Sequence, residues 1–261
     1  MAFGGLVTLC NLVLSLAVGL RLLRAGRGLP ERALAAYFLG SAFLSTACQG
    51  VVYGGLIDPS MAVPEAASRL LLGLAILGMA VGAVGVLVFT AVTFRPRERW
   101  ARNAAALGSA LAVGGFAAEA GLEGFAVVLV PGLGHWLAWA GRTLPMVWVA
   151  AESFNYWALQ RRRLRLGLAD PLVADRFLLW GVWSAAGVAM LFADVVARVL
   201  YALLAGTTTE MVMEVLRPVV IGTMAVTMVL GVVSATTLFL TFFPTARYRR
   251  WVERRISASP V

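Results

Sequence analysis

Apolar side chains in this chain gather into long runs, parted by short turns rich in arginine. Seven runs stand out, at residues 2–22, 33–57, 66–94, 103–123, 136–160, 177–204 and 216–243. Each is long enough to cross a hydrocarbon layer of roughly 30 Å, which takes about 20 residues of helix. Residues 124–135 are apolar but too short to cross, and Pro131-Gly132 interrupts them, so an interfacial or re-entrant piece is expected there. The pattern predicts an all-α polytopic membrane protein with seven transmembrane helices forming one membrane domain.

Composition agrees, because 61% hydrophobic and 13% charged residues are too apolar a mixture for a water-facing surface over 261 residues. All 22 basic side chains are arginine, and eighteen of them lie in four places. These are the turns after helices 1, 3 and 5 (from Arg21 to Arg32, Arg95 to Arg102 and Arg161 to Arg176) and the tail from Arg247 to Arg255. Cytoplasmic loops retain basic residues, so the N-terminus is expected outside and the tail inside. The opposite loops carry Asp58, Glu65, Glu119, Glu123, Glu210 and Glu214. Trp100, Trp136 and Trp251 suit the membrane interface. Short basic loops between spans argue for topology and anionic lipid at the cytoplasmic face, and against nucleic acid. No basic region precedes helix 1, which speaks against a cleaved signal peptide. Abundant Ala, Gly and Arg without lysine suggests a bacterial plasma (inner) membrane.

The missing lysine also removes a retinal-type Schiff base. Cys10 and Cys48 lie in apolar runs, so neither a disulfide framework nor a thiolate metal site is expected. No catalytic motif, phosphate-binding glycine loop or histidine pair occurs, and the expectation is a non-enzyme without cofactor or metal. His135 stands alone at the outer interface, where a structural or solvated role is expected.

The chain repeats itself. Residues 17–40 shifted by 141 positions match Ala17, Arg21, Leu23, Arg24, Gly26, Pro30, Ala33 and Gly40 with Ala158, Arg162, Leu164, Arg165, Gly167, Pro171, Ala174 and Gly181. Residues 66–102 shifted by 148 match Arg69, Thr93, Phe94, Pro96 and Arg99, among others, with Arg217, Thr241, Phe242, Pro244 and Arg247. Helices 1–3 and 5–7 then form equivalent units: repeat 1 at 1–102, helix 4 with the interfacial segment at 103–135, repeat 2 at 136–250 and a basic tail at 244–261. Three crossings reverse direction and helix 4 restores it, which relates the halves by an axis along the membrane normal. This 3+1+3 layout resembles the SWEET-like sugar transporters and, more loosely, the microbial rhodopsins. The resemblance covers architecture alone: no Pro-Gln pair occurs, and helix 5 carries only Pro145. It implies a ligand path between the repeats.

Ionisable groups inside spans mark candidate sites. Glu152 on helix 5 shares a face with Asn155 and Tyr156, and the repeat places Asn11 opposite it. A carboxyl there is expected protonated or hydrogen-bonded. On helix 6, Asp194 and Arg198 have ion-pair spacing; the repeat aligns Tyr53 with Asp194, and Gln49 lies one turn from Tyr53. Arg69, Arg142, Arg198 and Arg217 lie near outer helix ends, either forming an outer anion vestibule or snorkelling to headgroups and pairing with acids. Gly78 with Gly82 and Gly50 with Gly54 predict close helix packing, with a homodimer face as the other reading. Three functions stay open: binding or transport of a small, in the sharper form anionic, solute between the repeats; a receptor-like sensor signalling to a cytoplasmic partner; and a structural subunit of a membrane complex.

Overall fold

The computed structural model describes residues 2–26, 28–126, 131–204 and 209–257. Arg27 and part of the expected interfacial segment, residues 127–130, lie outside the described residues. The protein is 90% helix, and no strand occurs among the described residues. The helices are α1 (Ala2–Ala25), α2 (Leu29–Ala36, running on through Tyr37–Ser45 into Thr46–Ile57), α3 (Glu65–Phe94) and α4 (Arg99–Ala118, running on through Glu119–Glu123). They continue with α5 (Leu133–Arg165), α6 (Pro171–Leu204), α7 (Thr209–Phe242) and a tail helix α8 (Ala246–Ser257).

Local chemistry sets the boundaries. Pro30 occupies the first turn of α2 and Pro171 opens α6, where a missing N–H costs nothing. The Asp170 carboxylate accepts the Leu172 N–H at 2.7 Å and caps the start of α6. Gly167, at φ +68°, closes α5 as the Leu168 N–H turns back to the Arg163 carbonyl at 2.9 Å. The first turn of α5 starts at Leu133, so His135 belongs to that helix and does not precede it.

Among the described residues, six helices are long and apolar enough to cross a membrane: Gly5–Ala25, Leu29–Gly55, Glu65–Phe94, Arg99–Glu123, Pro171–Leu204 and Arg217–Phe242. The 33-residue α5 is not among them, because Arg142, Glu152, Asn155 and its terminal arginines dilute its apolar run. The expected count of seven therefore reduces to six by length and hydropathy. Large apolar side chains cover the outside, with Leu107 and Leu203 each 73% exposed, whereas Glu119, Glu152, Ser153 and Thr90 are buried. Large apolar side chains outside, with carboxylates and hydroxyls buried, suit hydrocarbon as the solvent.

Helices adjacent in sequence pack against one another from α1 to α7, α7 closes back on α1, and α3 also touches α5. The α2–α3 contact is made backbone to backbone: a Cβ built on Gly78 would lie 2.6 Å from the Gly40 carbonyl oxygen. Gly78 and Gly82 thus serve packing within the chain, while Gly50 and Gly54 meet nothing within 4 Å. Gly115 and Gly141 similarly bring α4 against Ala138 and α5 against Ala112.

Two stretches wind more widely than an α-helix. Tyr37–Ser45 in α2 and Glu119–Glu123 at the end of α4 are π-helical, a geometry that inserts an extra residue per turn and reorients side chains. At the arginine-rich end, α8 lies against α6, with Val252 buried and Trp251 exposed. The Tyr248 hydroxyl donates to the Asp175 carboxylate, and burial, reinforced by that carboxylate, pushes the phenol above its ordinary pKa. Tyr248→Phe should weaken the docking of α8 by about 1 kcal/mol. Faster tryptic cleavage at the tail arginines, with little change in the melting temperature of the bundle, is the expected result.

Candidate functional site

The interior of the bundle is divided by depth. Toward the arginine-rich end it is packed solid with rings: Phe38 meets Trp183 and Phe242, Phe89 stacks on Trp180, and Phe94 meets Tyr156 and Phe177. This aromatic plug adjoins a cavity of about 380 Å³ in the middle of the bundle. Its lining comes from every helix from α1 to α7 except α4. Hydroxyl and amide groups of Asn11, Ser41, Ser45 and Gln49 form part of the wall, and Met79, Met146, Met190 and Met228 supply pliant apolar surface. The π turn of α2 contributes Ser41 and Ser45 to this wall.

A smaller second cavity, of about 60 Å³, lies toward the other end and shares Gln49, Met79, Ala83 and Arg142 with the first. Its polar lining is Gln49, Tyr53, Glu119, His135, Arg142 and Arg198. The Arg198 Nε donates to both Asp194 oxygens, at 3.1 and 3.0 Å. Arg142 approaches the same carboxylate less closely, with Nη2 3.8 Å from Oδ2, and its Nη1 is 3.0 Å from the Met79 sulfur. Among the described residues the buried Nε of Arg142 has no partner. A guanidinium carries five donors, and a thioether is a weak acceptor, so Arg142 has more hydrogen-bonding capacity than its neighbours use. On the facing wall the buried Glu119 lies 4.0 Å from His135 Nδ1 and leaves its Oε2 unpaired. Glu123 accepts the His135 backbone N–H at 3.2 Å, placing a carboxylate at the positive N-terminus of α5.

The structure brings together five of the residues singled out from sequence, Gln49, Tyr53, Asp194, Arg198 and Arg142, and places Asn11 on the central cavity. Asn11 donates to the carbonyls of Val7 at 3.0 Å and Gly231 at 3.2 Å, tying α1 to α7. The others part from expectation. Glu152 lines neither cavity; it receives a forked bond from Arg95, at 2.8 and 3.0 Å, with the Trp148 N–H at 3.4 Å. The basic turn thus sends one of its arginines inward, and Glu152 joins α3 to α5. That bond and charge push the Arg95 guanidinium above its ordinary pKa. Tyr156 donates to the Phe94 carbonyl at 2.9 Å within the plug, and Asn155 is exposed.

The four arginines expected to form an outer vestibule divide as well. Arg142 and Arg198 turn inward, but Arg69 is exposed and bonds Glu65 at 2.6 Å, and Arg217 is exposed. Sequence reasoning passed over Glu119 and His135 as outer-loop residues. The legible signal was that Glu119 and Glu123 repeat at four residues inside an apolar span. Comparison with protein-family models, curated sequences and solved structures finds no match to this chain.

Proposed function

We propose that this chain is a seven-helix inner-membrane protein that binds a small anionic solute at Arg142 and carries it between two three-helix repeats. Arg142 carries the reading: an under-partnered guanidinium held between two cavities inside an apolar bundle is costly unless it serves a ligand. In this reading α5 is the seventh span, and its polar residues face protein. The N-terminus is outside and the arginine-rich end faces the cytoplasm, with anionic lipid headgroups against α8. The solute then enters from outside, since the aromatic plug fills the cytoplasmic half.

The helix contacts support the duplication. A twofold axis exchanging α1, α2, α3 with α5, α6, α7 requires that an α3–α5 contact be matched by an α7–α1 contact, and both exist. The equivalent carbonyls of Phe94 and Phe242 are each bonded from the equivalent partner helix, by Tyr156 of α5 at 2.9 Å and Arg21 of α1 at 3.0 Å. The central cavity lies on the seam such an axis would define.

Purified full-length protein should be melted with acetate, 4-methylpentanoate and phosphate, each against Arg142→Gln, and the best binder tested for uptake into proteoliposomes. At least one anion is expected to raise the melting temperature of the native protein and none that of the variant. Equal shifts in both proteins would end the anion-site reading. Binding without any accumulation would instead favour a sensor, for which the α6–α8 contact through Asp175 and Tyr248 supplies a route to the tail.

A further inference from the structure

Charge balance around Arg142 narrows the ligand further. Two guanidiniums, Arg142 and Arg198, and one carboxylate, Glu119, line the same small cavity, and a second carboxylate, Asp194, pairs with both guanidiniums from behind it. Glu123 is a third carboxylate nearby that does not line this cavity; its Oε1 accepts the His135 N–H at the N-terminus of α5, and its Oε2 is unpaired among the described residues. A ligand with a net charge would leave one charge uncompensated in a medium that solvates it poorly. An internally neutral ligand bearing both signs would not.

The unmet hydrogen-bonding groups ask for both signs as well. Among the described residues, Arg142 Nε is a buried donor without a partner and Glu119 Oε2 a buried acceptor without one, and His135 Nε2, on the same cavity, is unpaired too. A carboxylate satisfies the first and an ammonium the second. Their placement follows from the packing of α4 on α5. Gly134 abuts Glu119 and Gly141 abuts Ala112, so the helices run antiparallel and Arg142 lies eight residues along α5 from the level of Glu119. Eight residues rise roughly 12 Å. Side chains tilt toward the N-terminus of their own helix, so in this antiparallel pair Glu119 and Arg142 lean toward each other and shorten that gap. Beyond Arg142 the central cavity offers Met79, Met146 and Trp183 to an apolar body.

We infer that the ligand is a small zwitterion of amino-acid type with an apolar side chain, its carboxylate on Arg142, its ammonium on Glu119 and its side chain in the central cavity. The inference rests on the anion-site reading of Arg142 and adds Glu119 as the residue that selects the ammonium. Three molecules with one carbon skeleton separate the two ideas: leucine, 4-methylpentanoate, which lacks the amine, and 3-methylbutylamine, which lacks the carboxylate.

Thermal shifts of the full-length protein should place leucine affinity roughly tenfold or more above both analogues. Glu119→Gln should lose at least that factor for leucine while holding 4-methylpentanoate as well as before or better. Arg142→Gln should lose leucine and the carboxylate together, with Arg142→Lys and unliganded melting curves as controls for folding. Native protein that prefers 4-methylpentanoate, that ignores leucine at millimolar concentrations, or whose leucine affinity survives Glu119→Gln overturns the zwitterion. In each of those cases the anion site stands if Arg142→Gln still abolishes carboxylate binding. Carboxylate binding that survives Arg142→Gln brings down the underlying reading itself.

Discussion

Arg95→Ala is expected to destabilise the bundle by about 2 kcal/mol, because it strips the buried Glu152 carboxylate of its main partner while Arg95 itself is 38% exposed. Glu152 is 5% exposed, and its two oxygens take the Nε and Nη2 donors of Arg95. Without that fork the carboxylate keeps only the long bond from Trp148, in surroundings that solvate charge poorly. The loss is set by the group left behind, so Glu152→Gln, which leaves a neutral amide in place of a buried anion, should cost less. The double replacement Arg95→Met with Glu152→Leu should recover most of the stability, because no charge then remains to be desolvated. Melting curves in one detergent order the three variants. A double variant as unstable as Arg95→Ala would show that the pair supplies more than mutual compensation. Neither residue lines a cavity, so solute affinity should be unchanged in any variant that folds. A proton-carrying Glu152 would instead lose coupled uptake in Glu152→Gln at unaltered stability.

The contrast between these two arginine sites shows what a linear sequence can carry. Helix positions were readable because apolar run length reflects the thickness of hydrocarbon, and the seven runs coincide with α1 to α7 to within a few residues at most ends. The Asp194–Arg198 pair was readable for a similar reason, as four residues along one helix is a fixed geometry. Arg95 and Glu152 are 57 residues apart, and their meeting depends on how α3 and α5 pack, which no local spacing encodes. Arg142 and Arg69 look alike in sequence, each near an outer helix end. One lies on the face of α5 that lines both cavities, whereas the other bonds Glu65 one turn earlier on its own helix. The wide turns at Tyr37–Ser45 and Glu119–Glu123 contain no proline to announce them. They bear the serines and the glutamate that line the cavities.

Gly78→Ala should be destabilising by about 2 kcal/mol, against the usual sign of the substitution, since alanine ordinarily favours a helix by nearly 1 kcal/mol over glycine. The added methyl would lie 2.6 Å from the Gly40 carbonyl oxygen, and the reciprocal methyl on Gly40 would lie 2.8 Å from that of Gly78. Both obstacles are backbone, which cannot rotate away as a side chain can, so α2 and α3 must separate. Separation would also move Ser41, which abuts Gly82 one turn along α3 and lines the central cavity. Weakened solute binding should therefore accompany the lost stability. Gly50→Ala and Gly54→Ala provide the opposite case on α2. A Cβ added at either meets no other part of the described residues within 4 Å, so the helix-forming advantage of alanine should appear unopposed, as unchanged or slightly raised melting temperatures. The two pairs share one sequence spacing, so the opposite signs isolate the effect of what each glycine faces. Stabilisation by Gly78→Ala would mean that α2 and α3 are further apart in the membrane than this packing requires, and Ser41 would then lose its fixed place at the cavity wall.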